Sequence, residues 1–269
     1  MDLLNLPRLD KLSIRKSFDR AAKSYNRAAI LQEEVLLRLL QRLDYIRHQP
    51  DTLIDFGCGT GKAIASLQKR YPRCEIIGLD LAFSMLQESK KQYGMLRKKR
   101  VVNADMERMP FADNSFDMLF SNLALQWAND LYATFKELAR IGKNGGLLMF
   151  TTFGPGTLKE LRDSWAEVDQ SPHVHQFIDM HDIGDAMMAS GLVQPVVNAE
   201  IIRLEYSEFR QLLGDLKNIG ASNADKNRSR GLMTPSKLKQ LENNYQRLGY
   251  EKGKFIASYE LVYGHAWLP

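Results

Sequence analysis

The chain has 269 residues, 44% hydrophobic and 26% charged, with 37 Lys/Arg against 32 Asp/Glu for a net charge of +5. That mixture describes one soluble globular domain, long enough to bury a sizeable core, and argues against a disordered or fibrous protein. No apolar run approaches the ~18 residues of a membrane-spanning helix, and two cysteines, Cys58 and Cys74, make no disulfide framework. "MDLLNLPRLDKL" has no basic region followed by an apolar stretch, so the expected setting is a reducing cytoplasm with no membrane attachment.

"IRKSFDRAAKSYNRAAILQEEVLLRLLQRLDYI" carries apolar residues at helical spacing and predicts one or two amphipathic helices ahead of the main domain. Short β-rich runs then alternate with helical ones. "TLIDF" is a strand, and "GKAIASLQKRY" is a helix that Pro72 stops. "CEIIGLD" and "VVNAD" are strands around the helix "SMLQESKKQY", and "FDMLFSN" and "GGLLMFTTF" are strands around the helix "DLYATFKELARIG". The alternation predicts an α/β, Rossmann-like fold with a mostly parallel sheet covered by helices on both faces. Late in the chain, "VVNAEIIRLEY" and "KFIASYELVYGHAWL" read as a closing strand pair separated by nearly fifty helical and polar residues. The expected organisation is a single domain: an N-terminal helical lid (1–48), a core (49–205 and 254–269) and a helical cap inserted between the last two strands (206–253).

Between the first strand and its helix stands "LIDFGCGTGK". A phosphate loop needs a hydroxyl after Gly-Lys, but Ala63 follows Lys62, and Phe56 stands at the place of that motif's first glycine. A dinucleotide fingerprint places Lys62 where close helix–strand packing wants a small residue. What stands is Asp-x-Gly-x-Gly-x-Gly: Asp55, Gly57, Gly59 and Gly61. This resembles motif I of class I S-adenosylmethionine-dependent methyltransferases. Glycines let the loop lie against the methionyl part of such a cofactor. The following helix start offers N–H groups to its carboxylate, and Asp55 can meet its ammonium.

Asp80, with Leu81 beside it, ends the second strand, where an acid can accept ribose hydroxyls. Asp105 is placed to accept from an adenine amino group, although a loop-capping role is equally consistent, and Met106 could cover the ring. Asn122 would line the same crevice at the carboxyl edge of the sheet.

"KSFDRAAKSYNRAAILQEEV", "SNLALQWANDL", "TTFGPGTLKELRDSW", "HVHQFIDMHDIGDAM" and "LKNIGASN" with "RSRGL" are together similar to the malonyl-acyl-carrier-protein O-methyltransferases of biotin synthesis. The resemblance covers nearly the whole chain. It implies a seven-stranded class I methyltransferase sheet and methyl transfer from S-adenosyl-L-methionine to the free carboxylate of a malonyl thioester, leaving S-adenosyl-L-homocysteine. It also implies an acidic acyl carrier protein as partner, and neither nucleic acid nor membrane. A carboxylate is already ionised at neutral pH, so positioning is expected rather than a general base, and no metal.

Phe18 and Tyr25 could close over the cofactor. Gln126 and Trp127 could line the transfer site, Trp127 reading equally as a core aromatic. Arg203 and Arg230, and less so Arg162, are expected to grip the substrate carboxylate, since arginine can do so through two parallel bonds. His173, His175 and His181 lie among Asp179, Asp182 and Asp185 in no zinc spacing, and capping by Asp182 with ordinary loop packing is the expectation.

All of the net positive charge lies from Arg203 to Lys254, with eleven Lys/Arg against six Asp/Glu. This fits docking of an acidic partner, or equally a solvated helix face. Two competitors remain: another small-molecule carboxylate or carbon methyltransferase, and a cofactor-binding assembly factor like the methyltransferase-like proteins that help build respiratory complex I.

Overall fold

The computed structural model describes residues 8–93, 98, 100–221, 223–226 and 233–269. Three helices lead: α1 (Lys11–Ala21), α2 (Tyr25–Ala28) and α3 (Ile30–Arg42). The amphipathic stretch is thus broken twice, at the turn before Tyr25 and at Ala29, whose ψ of 40° leaves helical geometry.

The alternating part follows with β1 (Thr52–Phe56), α4 (Lys62–Arg70), β2 (Glu75–Asp80), α5 (Phe83–Ser89) and β3 (Val101–Asn103). Next come β4 (Phe116–Asn122), α6 (Leu131–Ile141), β5 (Gly142–Phe153), α7 (Lys159–Ala166) and α8 (Met180–Ala189). The tail holds β6 (Val193–Tyr206), α9 (Phe209–Asn218), α10 (Pro235–Leu248), β7 (Tyr250–Glu251) and β8 (Lys254–Trp267).

The sheet order is β3-β2-β1-β4-β5-β8-β6, so seven strands make the main path. The two-residue β7 is an eighth that folds back on β8. β1 to β5 pair in parallel, while β8 runs antiparallel between β5 and β6. The order reverses between β1 and β4, which opens a crevice beyond their carboxyl ends.

Strand alternation sorts the core onto two faces. Leu53, Met118, Phe120, Leu147 and Met149 pack on one side with Leu39, Ile64 and Leu67 from α3 and α4. Ile54, Phe56, Leu119, Leu148 and Phe150 pack on the other with Phe135 and Leu138 of α6 and Ile183 of α8. A sheet covered on both faces explains why these strands read as near-continuous apolar runs.

The N-terminal segment and the β6–β8 connection hold each other. The Asp10 N–H donates to the Ala224 carbonyl at 2.8 Å, and Leu9 bridges to Asp225. The carboxylate of Asp19 accepts from the Ser84 N–H at 2.8 Å, tying α1 to the start of α5. Among the described residues no helix is long and apolar enough to cross a membrane.

Candidate active site

The glycine loop leaves β1 at the switch in strand order. A Cβ on Gly57 would stand 2.2 Å from the Ala124 Cβ, so the neighbouring loop itself demands glycine there. Gly59 differs: its φ is +51°, which side chains rarely adopt, yet a Cβ would meet nothing within 4 Å. Open space therefore faces the loop at Gly59, the room a ligand needs. Gly61 is the N-cap residue of α4.

Two acids flank this space. Asp55 is 1% exposed, and its Oδ2 has no hydrogen-bond partner. Burial, and then the charge of Asp80, pushes its carboxyl up to about 8. Asp80 is engaged at both oxygens, Oδ2 accepting from the Gly59 N–H and Oδ1 from the Ala82 N–H, each at 2.8 Å. Burial raises Asp80 to about 6 against these bonds, which pull it down. A cationic ligand with N–H groups would satisfy Asp55 and favour its ionised form. The orphaned oxygen and the open space at Gly59 fit the methionyl ammonium of S-adenosylmethionine.

Leu81, Asp105, Met106 and Asn122 line the adjoining cavity with Asp80, on the side expected for adenosine. Asp105 is also held by Lys11, whose Nζ lies 3.0 Å from Asp105 and 3.0 Å from Glu107. The Asn122 amide is anchored, Nδ2 donating to the Gln32 carbonyl at 3.0 Å and Oδ1 accepting from Thr151 Oγ1 at 2.9 Å. It thus fixes α3 against the ends of β4 and β5 as well as lining the crevice.

Tyr25 lies where three cavities meet: one beside Asp55, one beside Asp80 and Asp105, and one running under Trp127 toward Phe153 and Tyr259. Burial, and then the charge of Asp80, holds its phenol well above the ordinary value. Phe18 stands edge-on to Trp127 at 5.3 Å and shares two of these cavities with it. Trp127 is therefore both a packed aromatic and a wall of the chamber. Gln126 lines the chamber, but its amide is already bonded, Nε2 to the Leu123 carbonyl at 2.7 Å and Oε1 to Thr152 at 3.3 Å.

Arg203 and Arg162 are not brought to the chamber expected to hold the substrate carboxylate. Arg203 lies on the edge strand β6, its side chain 47% exposed, paired with Glu251 at 2.6 Å, and it lines none of these three cavities. Arg162 turns to the Pro155 carbonyl at 2.5 Å. Arg230 lies outside the described residues. Among the described residues no lysine or arginine lines the chamber under Trp127.

Of the three histidines, His173 and His175 line the chamber under Trp127 and His181 does not. His173 stacks on Trp165 at 3.5 Å and bonds Asp169 at 2.8 Å, while His181 is exposed beside Asp179. The cap of α8 is Asp179, which accepts from the His181 N–H, and not Asp182. His175 is buried against Trp127, and burial lowers its imidazole to about 4 despite the charge of Asp225.

Sequence reasoning missed Gln32, whose Oε1 is buried without a partner beside Asp55, and it left Phe177, a wall of the chamber, unmarked. A glutamine in an amphipathic helix gives no signal. Phe177 stood within the "HVHQF" stretch already singled out.

The reversed-order sheet and the glycine loop opening on a paired-acid crevice define a class I S-adenosylmethionine-dependent methyltransferase. A family model described as "Methyltransferase domain" matches residues 54–150. A putative methyltransferase from Bacillus halodurans shares the fold, with a TM-score of 0.61, at 17% identity over 87% of this chain and 98% of that one. A phosphoethanolamine N-methyltransferase of Haemonchus contortus, solved with S-adenosylhomocysteine, does so with a TM-score of 0.61, at 19% identity over 95% of this chain and 60% of that one.

Whole-chain similarity is closer. The malonyl-acyl-carrier-protein O-methyltransferase of Gallionella capsiferriformans is 48% identical over 97% of this chain and 92% of its own. That of Halorhodospira halophila is 46% identical over 96% and 88%. The chain belongs to the malonyl-acyl-carrier-protein O-methyltransferase family.

Proposed function

We propose that this protein transfers a methyl group from S-adenosylmethionine to the free carboxylate of a malonyl group held as a thioester on an acyl carrier protein. The product is the malonyl methyl ester that enters biotin synthesis. The observation that carries this is near-full-length identity of 48% to a relative bearing that name. A similarity spanning lid, core and the β6–β8 connection covers the substrate side of the protein as well as its cofactor side.

When bound, S-adenosylmethionine supplies a methyl carbon made electrophilic by a positively charged sulfur. The chain's own part is to hold and enclose. Asp55 and the loop around Gly59 bind the methionyl end, Asp80 and Asp105 the adenosine end. Tyr25, where the three cavities meet, marks the place of transfer. Phe18 and Trp127 form an aromatic wall that keeps water from it. The acceptor oxygen arrives ionised, so alignment supplies the rate enhancement and no side chain need remove a proton. The carboxylate grip falls to Arg230 or to neutral donors of the chamber such as His175.

Residues 1–48 act as a lid and 206–253 as the cap that meets the carrier, whose acidic surface the positive excess of that segment would attract. Two buried free cysteines suit a reducing cytoplasm. Complementation of a biotin auxotroph lacking its own malonyl methylating enzyme tests the assignment. Rescue is expected, whereas an assembly factor that only binds the cofactor gives none.

A further inference from the structure

Two hydrogen-bond acceptors are buried without a partner on the walls of one small cavity. Asp55 Oδ2 is one and Gln32 Oε1 is the other, and both residues line the space beside Gly57 and Gly59. Buried polar groups are nearly always paired, so two bare acceptors around one cavity point to a shared donor. A primary ammonium carries three donors and a positive charge, and so answers both at once.

Gln32 is not a loosely held surface glutamine. Its carbonyl accepts from Asn122 Nδ2 at 3.0 Å, and Asn122 is held in turn by Thr151 at 2.9 Å. The first turn of α3 is thereby fixed against the ends of β4 and β5, with Gln32 between the loop cavity and the chamber under Trp127.

We infer that Gln32 Oε1 joins Asp55 Oδ2 in holding the α-ammonium of the cofactor, so that the lid itself recognises the amino-acid end. The inference rests on placing the methionyl end beside Gly59. Asp55 supplies the opposite charge. Gln32 adds a directional acceptor without a second negative charge, which would repel the cofactor's own carboxylate. The consequence is specificity: an adenosyl thioether lacking the amino-acid end leaves both acceptors bare and binds weakly.

The test is calorimetric titration of wild type, Gln32→Met and Gln32→Ala with S-adenosylhomocysteine and with 5′-methylthioadenosine, which lacks the amino-acid end. Gln32→Met should weaken S-adenosylhomocysteine roughly 10- to 100-fold, as loss of one hydrogen bond to a charged group does, and leave methylthioadenosine within about twofold. Gln32→Ala carries the same expectation should the methionine variant not fold. A preference as large as in wild type in Gln32→Met or Gln32→Ala, or equal weakening of both ligands, overturns the role of Gln32. A wild type with no preference at all overturns instead the placement of the methionyl end on which it rests.

Discussion

Replacing Asp55 with asparagine removes a buried carboxyl oxygen that has no partner, on a residue that lines the loop cavity. Without ligand, burial and the charge of Asp80 hold this group at about 8. An unfolded aspartate titrates near ~3.9, so between the two values the folded protein keeps a proton that the unfolded chain releases. Stability of the ligand-free protein should therefore fall as pH rises from about 4 toward 8.

Binding runs the other way. An ammonium prefers the ionised acid, so affinity for S-adenosylhomocysteine should rise with the ionised fraction, roughly 15-fold from pH 6.5 to 8. Close to one proton should leave per ligand bound at neutral pH. Asp80, at about 6, contributes mainly below this window. Asp55→Asn should flatten both trends and, at pH 8, weaken binding roughly 10- to 100-fold. Calorimetry in two buffers of different ionisation heat counts the protons, and thermal melts across pH read the stability. Proton release unchanged in Asp55→Asn, or wild-type affinity constant over the window, would refute the reasoning.

Other outcomes follow from the same geometry. Gly59→Leu should reduce cofactor affinity more than ~100-fold at a folding cost of only about 1–2 kcal/mol from its positive φ, whereas Gly57→Ala, meeting Ala124 at 2.2 Å, should lower Tm without selectively affecting the ligand. At saturating substrates kcat should stay nearly flat from pH 6 to pH 8.5 and survive chelator, because the acceptor is already ionised; a fall through the histidine range would bring the histidines into the chemistry. For carrier-bound malonyl, kcat/KM should drop with added salt over the range where exposed charges are screened, while a small malonyl thioester shows no such drop. Equal salt dependence for both would make the positive segment a mere solvated face.

The parallel core was legible because strand and helix periods differ and each strand is bounded by a turn or a proline. The loop acids and glycines were legible because β1 and β2 deliver Asp55 and Asp80 to the same edge of the sheet. Arg203 misled because β6 is an edge strand: its alternation says that one face is wet, not which residues face the crevice. Asp179 and Asp182 are both plausible caps of one helix, and only backbone geometry separates them. Gln32 had no signal, since its meaning lies in an oxygen left bare by tertiary packing. Gln126 lines the chamber, but its commitment to Leu123 and Thr152 is a property of the folded loop that the sequence does not show.

Mass spectrometry of malonyl-loaded acyl carrier protein, incubated with this protein and S-adenosylmethionine, reaches the central claim most directly. The account requires the malonyl group to gain one methyl, converted to an ester that mild alkaline hydrolysis removes, while acetyl-loaded carrier stays unchanged. Malonyl carrier recovered without the methyl, from protein shown to bind S-adenosylhomocysteine in the same buffer, would contradict it.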